Sequence, residues 1–269
     1  MAAKTQPRVV PSLLSSRQYS GTFSTVLYNW PIFVGSFLFG ITALIVGAFV
    51  QSPFNWLFLI AGLLAFLLLI NILIASFVAY DWGSKREYDR LLELANITEA
   101  NVVIDITAGK LRGTRGLLTR IQQGHYFVID IYNVEKMPDY SLRRARDLEP
   151  PLEAGRRIYR RTGKPDSLPI PHKWADVVYC SFSLHELHDA ADREAIFIEF
   201  ARILKPGGKL LLAEHGRDWL NFAAFGPGVF GFYPASSWEA AIETSGLTLT
   251  QHEKWRGLIH LWVAEKQKT

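Results

Sequence analysis

From Gln18 to Tyr80 the chain runs 63 residues without a single Asp, Glu, Lys or Arg. A soluble core helix rarely continues so long without a charged face toward water. The stretch divides into Trp30–Val50 and Trp56–Tyr80, separated by Gln51-Ser52-Pro53-Phe54-Asn55. Each half exceeds the ~20 apolar residues a helix needs to cross hydrocarbon. The polar, proline-bearing break suits a tight turn. The second half contains LFLIAGLLAFLLLINILIASFV, apolar on every helical face, and no later region could cover it within a soluble protein. A transmembrane helical hairpin over residues 30–82 follows, with spans at 30–50 and 56–80. A cleaved signal peptide does not fit, because the apolar run starts late, is too long and is followed by a second one.

Charge placement orients the hairpin. The first 29 residues carry Lys4, Arg8 and Arg17 and no acid, the turn carries no charge, and basic residues resume at Lys85, Arg86 and Arg90. Cationic flanks favour the cytoplasmic side, so both termini and the domain after the spans are expected there. Tyr28, Trp30, Trp56, Tyr80 and Trp82 stand near the span ends, where amphipathic rings prefer the interface. Residues 1–29 form an expected N-terminal arm. Residues 83–269 have ordinary charge density and enough length for one α/β core. The lone cysteine, Cys180, excludes an internal disulfide.

Beyond the spans, strand and helix patterns alternate. Residues 84–97 read as an amphipathic helix, with Tyr88, Leu91, Leu92 and Ala95 at helical spacing. Buried strands are expected at Asn101–Thr107, His125–Ile131, Ala175–Ser181 and Lys209–Glu214, with helices at Thr114–Gln123, Ala190–Leu204 and Ser236–Ser245. Leu247–Glu253 and Leu258–Glu265 alternate like strands. Only Lys254–Gly257 lies between them, too short for a parallel crossover, so they pair as an antiparallel hairpin. The remainder implies a mostly parallel sheet with helices on both faces. Ligands of such sheets bind beyond the carboxyl ends of the strands. That rule singles out Asp105–Arg112, Asp130, Asp166, Ser181–His188 and Glu214–Arg217.

Four segments carry the chemistry. Val102-Val103-Ile104-Asp105-Ile106-Thr107-Ala108-Gly109 is a strand, an acid, then a small-residue turn into a helix, where backbone can approach a ligand and N–H groups lie open. Asp130 ends the next strand, where a carboxylate can accept from ribose hydroxyls. Asp166-Ser167-Leu168-Pro169-Ile170-Pro171 leads into Ala175-Asp176-Val177-Val178-Tyr179-Cys180-Ser181 and then Phe182-Ser183-Leu184-His185-Glu186-Leu187. Last, Leu204-Lys205-Pro206-Gly207-Gly208-Lys209-Leu210 joins a helix to a strand. Taken singly, Asp105 and Asp130 could equally cap helices or turns, and Pro206-Gly207-Gly208 is a turn under any reading.

In this order the segments resemble the class I S-adenosylmethionine-dependent methyltransferases, of the broad type that includes the ubiquinone and menaquinone methyltransferases. The resemblance covers roughly Asn101–Leu212. It implies a Rossmann-like seven-stranded sheet with an antiparallel terminal hairpin, and S-adenosyl-L-methionine as cofactor. Carried over by position, it implies a loop of Asp105, Thr107, Ala108 and Gly109 against the cofactor. Asp130 and Ile131 would lie at the ribose, Asp166, Ser167 and Leu168 at the adenine, and Ser181 and Phe182 at the methionine. Thr107 and Leu111 stand where the family carries glycine.

His215, just past a strand's carboxyl end, could take a proton from a hydroxyl nucleophile or be a hydrogen-bonded structural histidine. His185 is expected at the substrate side of the pocket or packed there. His185-Glu186-Leu187-His188 lacks the four-residue histidine spacing of a helical zinc site, so no metal is expected. Phe222–Pro234 (FAAFGPGVFGFYP) lies where substrate lids occur in the resembled family, and a greasy lid suits an apolar acceptor. Ser141–Lys164 holds eight basic and three acidic residues. It reads either as a solvated charged segment or as a patch leaning on anionic headgroups around 143–164. The expected activity is methyl transfer to a lipophilic, membrane-associated acceptor. The alternatives are a scaffold or assembly factor that keeps the fold without the reaction, and a dinucleotide oxidoreductase. A nucleic-acid partner is disfavoured, because the basic cluster is short.

Overall fold

The computed structural model describes residues 20–152 and 155–268. The expected N-terminal arm therefore falls outside the described residues up to position 19. Two apolar helices, α2 (Trp30–Phe49) and α3 (Asn55–Ser76), form an antiparallel hairpin, and both are long and apolar enough to cross a membrane. At 1.5 Å per residue α2 spans about 30 Å, matching the hydrocarbon core. The helices meet through small side chains. Gly40, Ala43 and Gly47 of α2 and Gly62 and Ala65 of α3 are buried, whereas Leu57, Leu63, Leu64 and Ile45 point outward. Between helices in lipid, close backbone approach at small residues supplies the attraction that hydrophobic burial cannot.

The second helix does not stop at Ser76. It continues as a π-helical turn, Phe77–Asp81, and its Ala75 and Ala79 are buried in the same cluster as Leu91, Val103 and Ile259 of the following domain. Asp81, the first charge after the void, is buried. It accepts from the backbone N–H groups of Gly21 (3.1 Å) and Thr22 (2.7 Å) and from the Thr22 hydroxyl (2.6 Å). These donors open helix α1 (Ser20–Tyr28), so the carboxylate caps that helix from across the structure.

The domain is a seven-stranded sheet: β1 (Val102–Thr107), β2 (His125–Asp130), β3 (Ile158–Thr162), β4 (Ala175–Ser181), β5 (Leu204–His215), β6 (Leu247–Trp255) and β7 (Ile259–Lys266). The spatial order is β3-β2-β1-β4-β5-β7-β6. Strands β1 to β5 run parallel, and β7 lies antiparallel between β5 and β6. This is the Rossmann-like sheet with a terminal hairpin that the sequence implied. Helices α6 (Tyr140–Leu148), α7 (Ala190–Ile203) and α9 (Ala235–Thr244) pack on one face, and α4 (Glu87–Ala95) and α5 (Arg112–Arg120) on the other with the end of α3. Helix α8 (Trp219–Phe225) and a 3₁₀ turn, Gly226–Gly231, lie beside the hairpin.

Differences from the expected elements have local causes. Reading the residues yields six strands; the seventh, β3, lies inside the basic segment. Four of its five residues are exposed, so an edge strand carrying Arg160 and Arg161 shows no apolar alternation. The other basic residues there are partly spent within the chain: Arg144 donates to the Tyr28 carbonyl (2.6 Å), Arg157 to the Leu118 carbonyl (3.2 Å), and Arg146 to Asp130. The charge free to meet headgroups is thus smaller than the composition suggests. The β6–β7 turn is three residues, Arg256-Gly257-Leu258, closed by the Trp255–Ile259 pair, and its first two have positive φ. Arg256 then donates to the carbonyls of Val78 (3.0 Å) and Lys85 (2.7 Å), so the sheet's far hairpin clasps the exit of α3.

The hairpin's close approach can be tested with two glycines. A Cβ on Gly62 would meet Leu44 at 2.8 Å and the Gly40 carbonyl oxygen at 2.9 Å, whereas one on Gly35 meets nothing within 4 Å. In thermal unfolding of the detergent-solubilised protein, Gly62→Ala should cost about 1–3 kcal/mol from overpacking. Gly35→Ala should leave the midpoint unchanged or slightly higher.

Candidate active site

Register brings the sequence-predicted residues to one rim. Thr107 lies opposite Asp130, and Ile106 opposite Cys180, the residue before Ser181. The loop after β1 is closed from within. The Gly109 N–H donates to the Thr107 hydroxyl oxygen (2.9 Å), and that hydroxyl donates to the Lys110 carbonyl (3.1 Å). Only Gly109 here has positive φ, at 110°, a conformation L side chains avoid. Thr107 and Leu111 do not need glycine's freedom, and Leu111 is buried in the core. The loop therefore holds its path with a single positive-φ glycine.

Asp130 is not free. Arg146 of α6 grips it with both guanidinium nitrogens, at 2.9 and 2.8 Å, and donates to the Ala108 carbonyl at 2.6 Å. Its guanidinium also stacks 4.0 Å over the Tyr132 ring and fills the space beside Gly109, where a Cβ would lie 2.2 Å from it. Nothing in the sequence pattern marked Arg146. Ile131 is buried, with its N–H on the Thr107 carbonyl. The Gly163 N–H donates to the Asp130 carbonyl, which sets the Asp166–Leu168 loop beside β2. Within that loop Asp166 and Ser167 are exposed, while Leu168 is buried with its N–H on Glu199 at 2.7 Å. Asp105 faces away from the rim, inside the domain, bonded to the Tyr126 hydroxyl at 2.9 Å. Burial pushes its carboxyl up to about 6, against the Thr114 and Tyr126 hydroxyls, which pull it down.

Beyond Gly109 a cavity of about 710 Å³ opens. Ser181, Phe182, His185, Lys110 and His215 line its domain side, and Ile32, Phe33, Leu68 and Ile72 of the apolar helices line its other side. It does not include Asp130, Asp166, Ser167 or Leu168 among its walls. Phe182, just past β4, has a left-handed φ of 50°, an uncommon conformation for a bulky side chain. Its ring stacks on His215 at 5.0 Å, and Phe232 stacks on the same imidazole at 4.9 Å.

The two histidines sit in opposite electrical states. His215 Nδ1 donates to the Leu258 carbonyl (2.9 Å), since a carbonyl can only accept, so Nε2 accepts from the Tyr80 hydroxyl (2.7 Å). Burial disfavours its charged form and pulls it down to about 3. The ring is neutral, and its one lone pair is engaged. His185 is held by Glu214 through Nδ1 (2.6 Å) and by Glu186 through Nε2 (3.3 Å). Burial opposes its charge, but the two carboxylates outweigh burial and push it up to about 9. Lys110 lies 2.6 Å from Glu186; with His185 it holds that carboxyl well below the usual range despite burial. Glu214 is saturated by the N–H groups of Ser183 and Leu184 as well. A charged His185 has no lone pair, and His215's is taken, so neither imidazole stands ready to accept a proton. The sequence reading saw Tyr80 only as an interfacial aromatic; Lys110, Glu186, Glu214 and Phe232 fell within the segments it singled out, but it gave them no role of their own.

Strand order, rim and loop define the fold of the class I S-adenosylmethionine-dependent methyltransferases. Residues 104–212 match the family model described as a methyltransferase domain. The chain therefore carries a methyltransferase domain, a class whose cofactor is S-adenosylmethionine. Among solved structures, a SAM-dependent methyltransferase from Aquifex aeolicus aligns with a TM-score of 0.52 at 16% identity, covering 70% of this chain and 91% of that one. Two others are YcgJ from Bacillus subtilis (TM-score 0.46, 15% identity, 68% and 99% covered) and a geranyl diphosphate C-methyltransferase from Streptomyces coelicolor (0.48, 11%, 67% and 78%). No curated protein matches the chain in sequence.

The paired charge on His185 predicts a pH signature. Its folded value lies above the ordinary 6.5, so its stabilising contribution is complete below pH 6.5 and fades as pH rises toward 9. The unfolding midpoint of the wild type should exceed that of His185→Gln most at pH 6, and the gap should narrow steadily toward pH 9. A gap independent of pH would mean that the ring is uncharged in the fold.

Proposed function

We propose that the chain is a membrane-anchored methyltransferase that moves a methyl group from S-adenosylmethionine to a lipophilic acceptor in or near the bilayer. In this reading α2 and α3 span the membrane as residues 30–82 of a hairpin, and residues 83–269 form a cytoplasmic catalytic domain, with both termini on that side. The observation that carries it is the shared cavity: one space of about 710 Å³ is walled by Ser181 and Lys110 at the sheet rim and by Phe33 and Leu68 of the apolar helices. A soluble acceptor has no need of such walls, whereas a bilayer-dissolved one passes between them without crossing water. Anchoring also confines enzyme and acceptor to one surface, raising their effective concentration.

The donor set would suit the cofactor once Arg146 leaves Asp130 and the space beside Gly109. Asp130 would hold the ribose hydroxyls, the Thr107–Gly109 loop the backbone side, Asp166, Ser167 and Leu168 the adenine, and Ser181 and Phe182 the methionine. Lys110 and Glu186 offer opposite charges for an amino-acid group. When bound, the cofactor supplies a methyl group already activated on a sulfonium. The chain's task is then to align an acceptor and exclude water. The stacked Phe182, His215 and Phe232 rings, with Tyr80, give that acceptor a flat, apolar wall. His215 and His185 shape this wall and its charge. Neither acts as the proton acceptor, so the acceptor's nucleophile does not depend on an imidazole base.

The Arg146–Asp130 clasp must open for the ribose to bind. It equally favours the second reading, a scaffold whose ribose seat is permanently closed. Calorimetric titration of S-adenosylmethionine into the protein in lipid nanodiscs separates the two. A closed fraction lowers apparent affinity in proportion. Arg146→Ala should therefore tighten binding by on the order of tenfold, and Asp130→Ala should abolish it. No binding by either the wild type or Arg146→Ala would leave only the scaffold.

A further inference from the structure

Helix α8 and the 3₁₀ turn after it have two unlike sides. One side closes the cavity with Ala224, Phe225 and Pro227. The other carries Trp219, Leu220, Phe222 and Phe230, with 75, 50, 40 and 66% of their surfaces exposed. Trp219 and Phe222 stack on each other at 5.5 Å. Four large apolar side chains on one short exposed stretch form a patch, unlike the scattered single residues of an ordinary soluble surface.

The depth of this element can be read from the hairpin. Asn71 of α3 donates to the carbonyls of Ala223 (2.6 Å) and Ala224 (3.1 Å) in α8. Gly40 abuts Phe66, Gly62 abuts Leu44, and Gly47 abuts Leu59. That antiparallel register sets Asn71 level with Gly35, five positions along α2 from Trp30. At 1.5 Å per residue, the end of α8 meets the hairpin about 7 Å to the apolar side of the Trp30 ring. Interfacial helices bury their apolar faces by about 5–10 Å. The exposed aromatic side of α8 therefore lies at the level where headgroups give way to acyl chains.

Resting on the membrane-anchored reading above, we propose that α8 and the Gly226–Gly231 turn are a third membrane contact. They lie in the plane of the inner leaflet, inserting Trp219, Leu220, Phe222 and Phe230 among the lipids. Because their opposite side is the cavity wall, a lipophilic acceptor enters sideways from that leaflet, between this element and Ile32 and Phe33 of α2. A lipid surface is the occupant that continuity supports, since α8 is hydrogen-bonded directly to an apolar helix of spanning length.

The experiment uses the full chain in lipid nanodiscs, with nitroxide spin labels on single introduced cysteines. The native Cys180 is buried and does not compete. Labels are placed by Trp219→Cys and Phe230→Cys, with Leu64→Cys on the outward face of α3 and Ile198→Cys on the domain surface as references. Collision with oxygen reports lipid, and collision with a nickel chelate reports water. The expected result is a lipid-like ratio at 219 and 230, between those of 64 and 198. If 64 itself reads as water, the membrane reading falls and the proposal with it. If 64 reads as lipid while 219 and 230 match 198, or are shielded from both reagents as under a protein partner, this proposal alone is overturned.

Discussion

The unbroken run of α3 into the domain core governs the rest of the structure. Ala75 and Ala79 pack among residues of the sheet and α4, and Asp81 then turns back to cap α1 through three hydrogen bonds. Hydrogen bonds to a charged group are each worth about 1.5–3 kcal/mol, and leaving such a buried group unpaired costs more than that. The apolar hairpin and the α/β domain are therefore joined without a flexible linker. Arg256 reinforces the joint from the opposite end of the sheet by holding the carbonyls of Val78 and Lys85. The rigid joint puts Tyr80 in the site and lets one cavity have two kinds of wall.

Beside that cavity, the buried charges among the described residues are linked in a chain. Lys110, Glu186, His185 and Glu214 form a continuous chain of opposite charges at 2.6–3.3 Å. The reason is general: a buried ion that lacks a partner costs several kcal/mol, so folds that bury ions bury them together. The consequence is chemical. The same pairing that makes the charges tolerable engages the His185 ring nitrogens, leaving a site suited to holding and orienting. Arg146 follows the same logic at Asp130, where a guanidinium takes the place that a ligand's hydroxyls would fill.

Much of the fold was legible one segment at a time. The charge void marks the hairpin because membrane insertion depends on local hydropathy. The strands β1, β2 and β4 read as apolar runs because both of their faces are covered. β3 did not, since an edge strand that is exposed along most of its length has no pattern to show. Helix α8 was hidden in the aromatic, glycine-rich segment, because its apolar residues face both the cavity and the outside and so show no single stripe. Of the residues expected at the site, Ser181 and Phe182, at and just past the end of β4, line the cavity, whereas Asp130 and Gly109 lie outside its walls. The site was illegible at Arg146 and Tyr80, which lie in a helix and a span with no motif around them.

The sequence by itself determined where the long uncharged apolar run lies, the order of six strands along the chain, and where acids fall at strand tips. These are properties of neighbouring residues, and short-range patterning suffices to set them. Only the tertiary structure decided that Asp130 is clasped by a residue 16 positions away and that His215 accepts from a phenol 135 positions away. It also decided that two carboxylates push one histidine's pKa up while burial pulls the other's down. Those outcomes depend on distance, burial and hydrogen-bond direction between remote groups, which arise only when the packed chain brings them together.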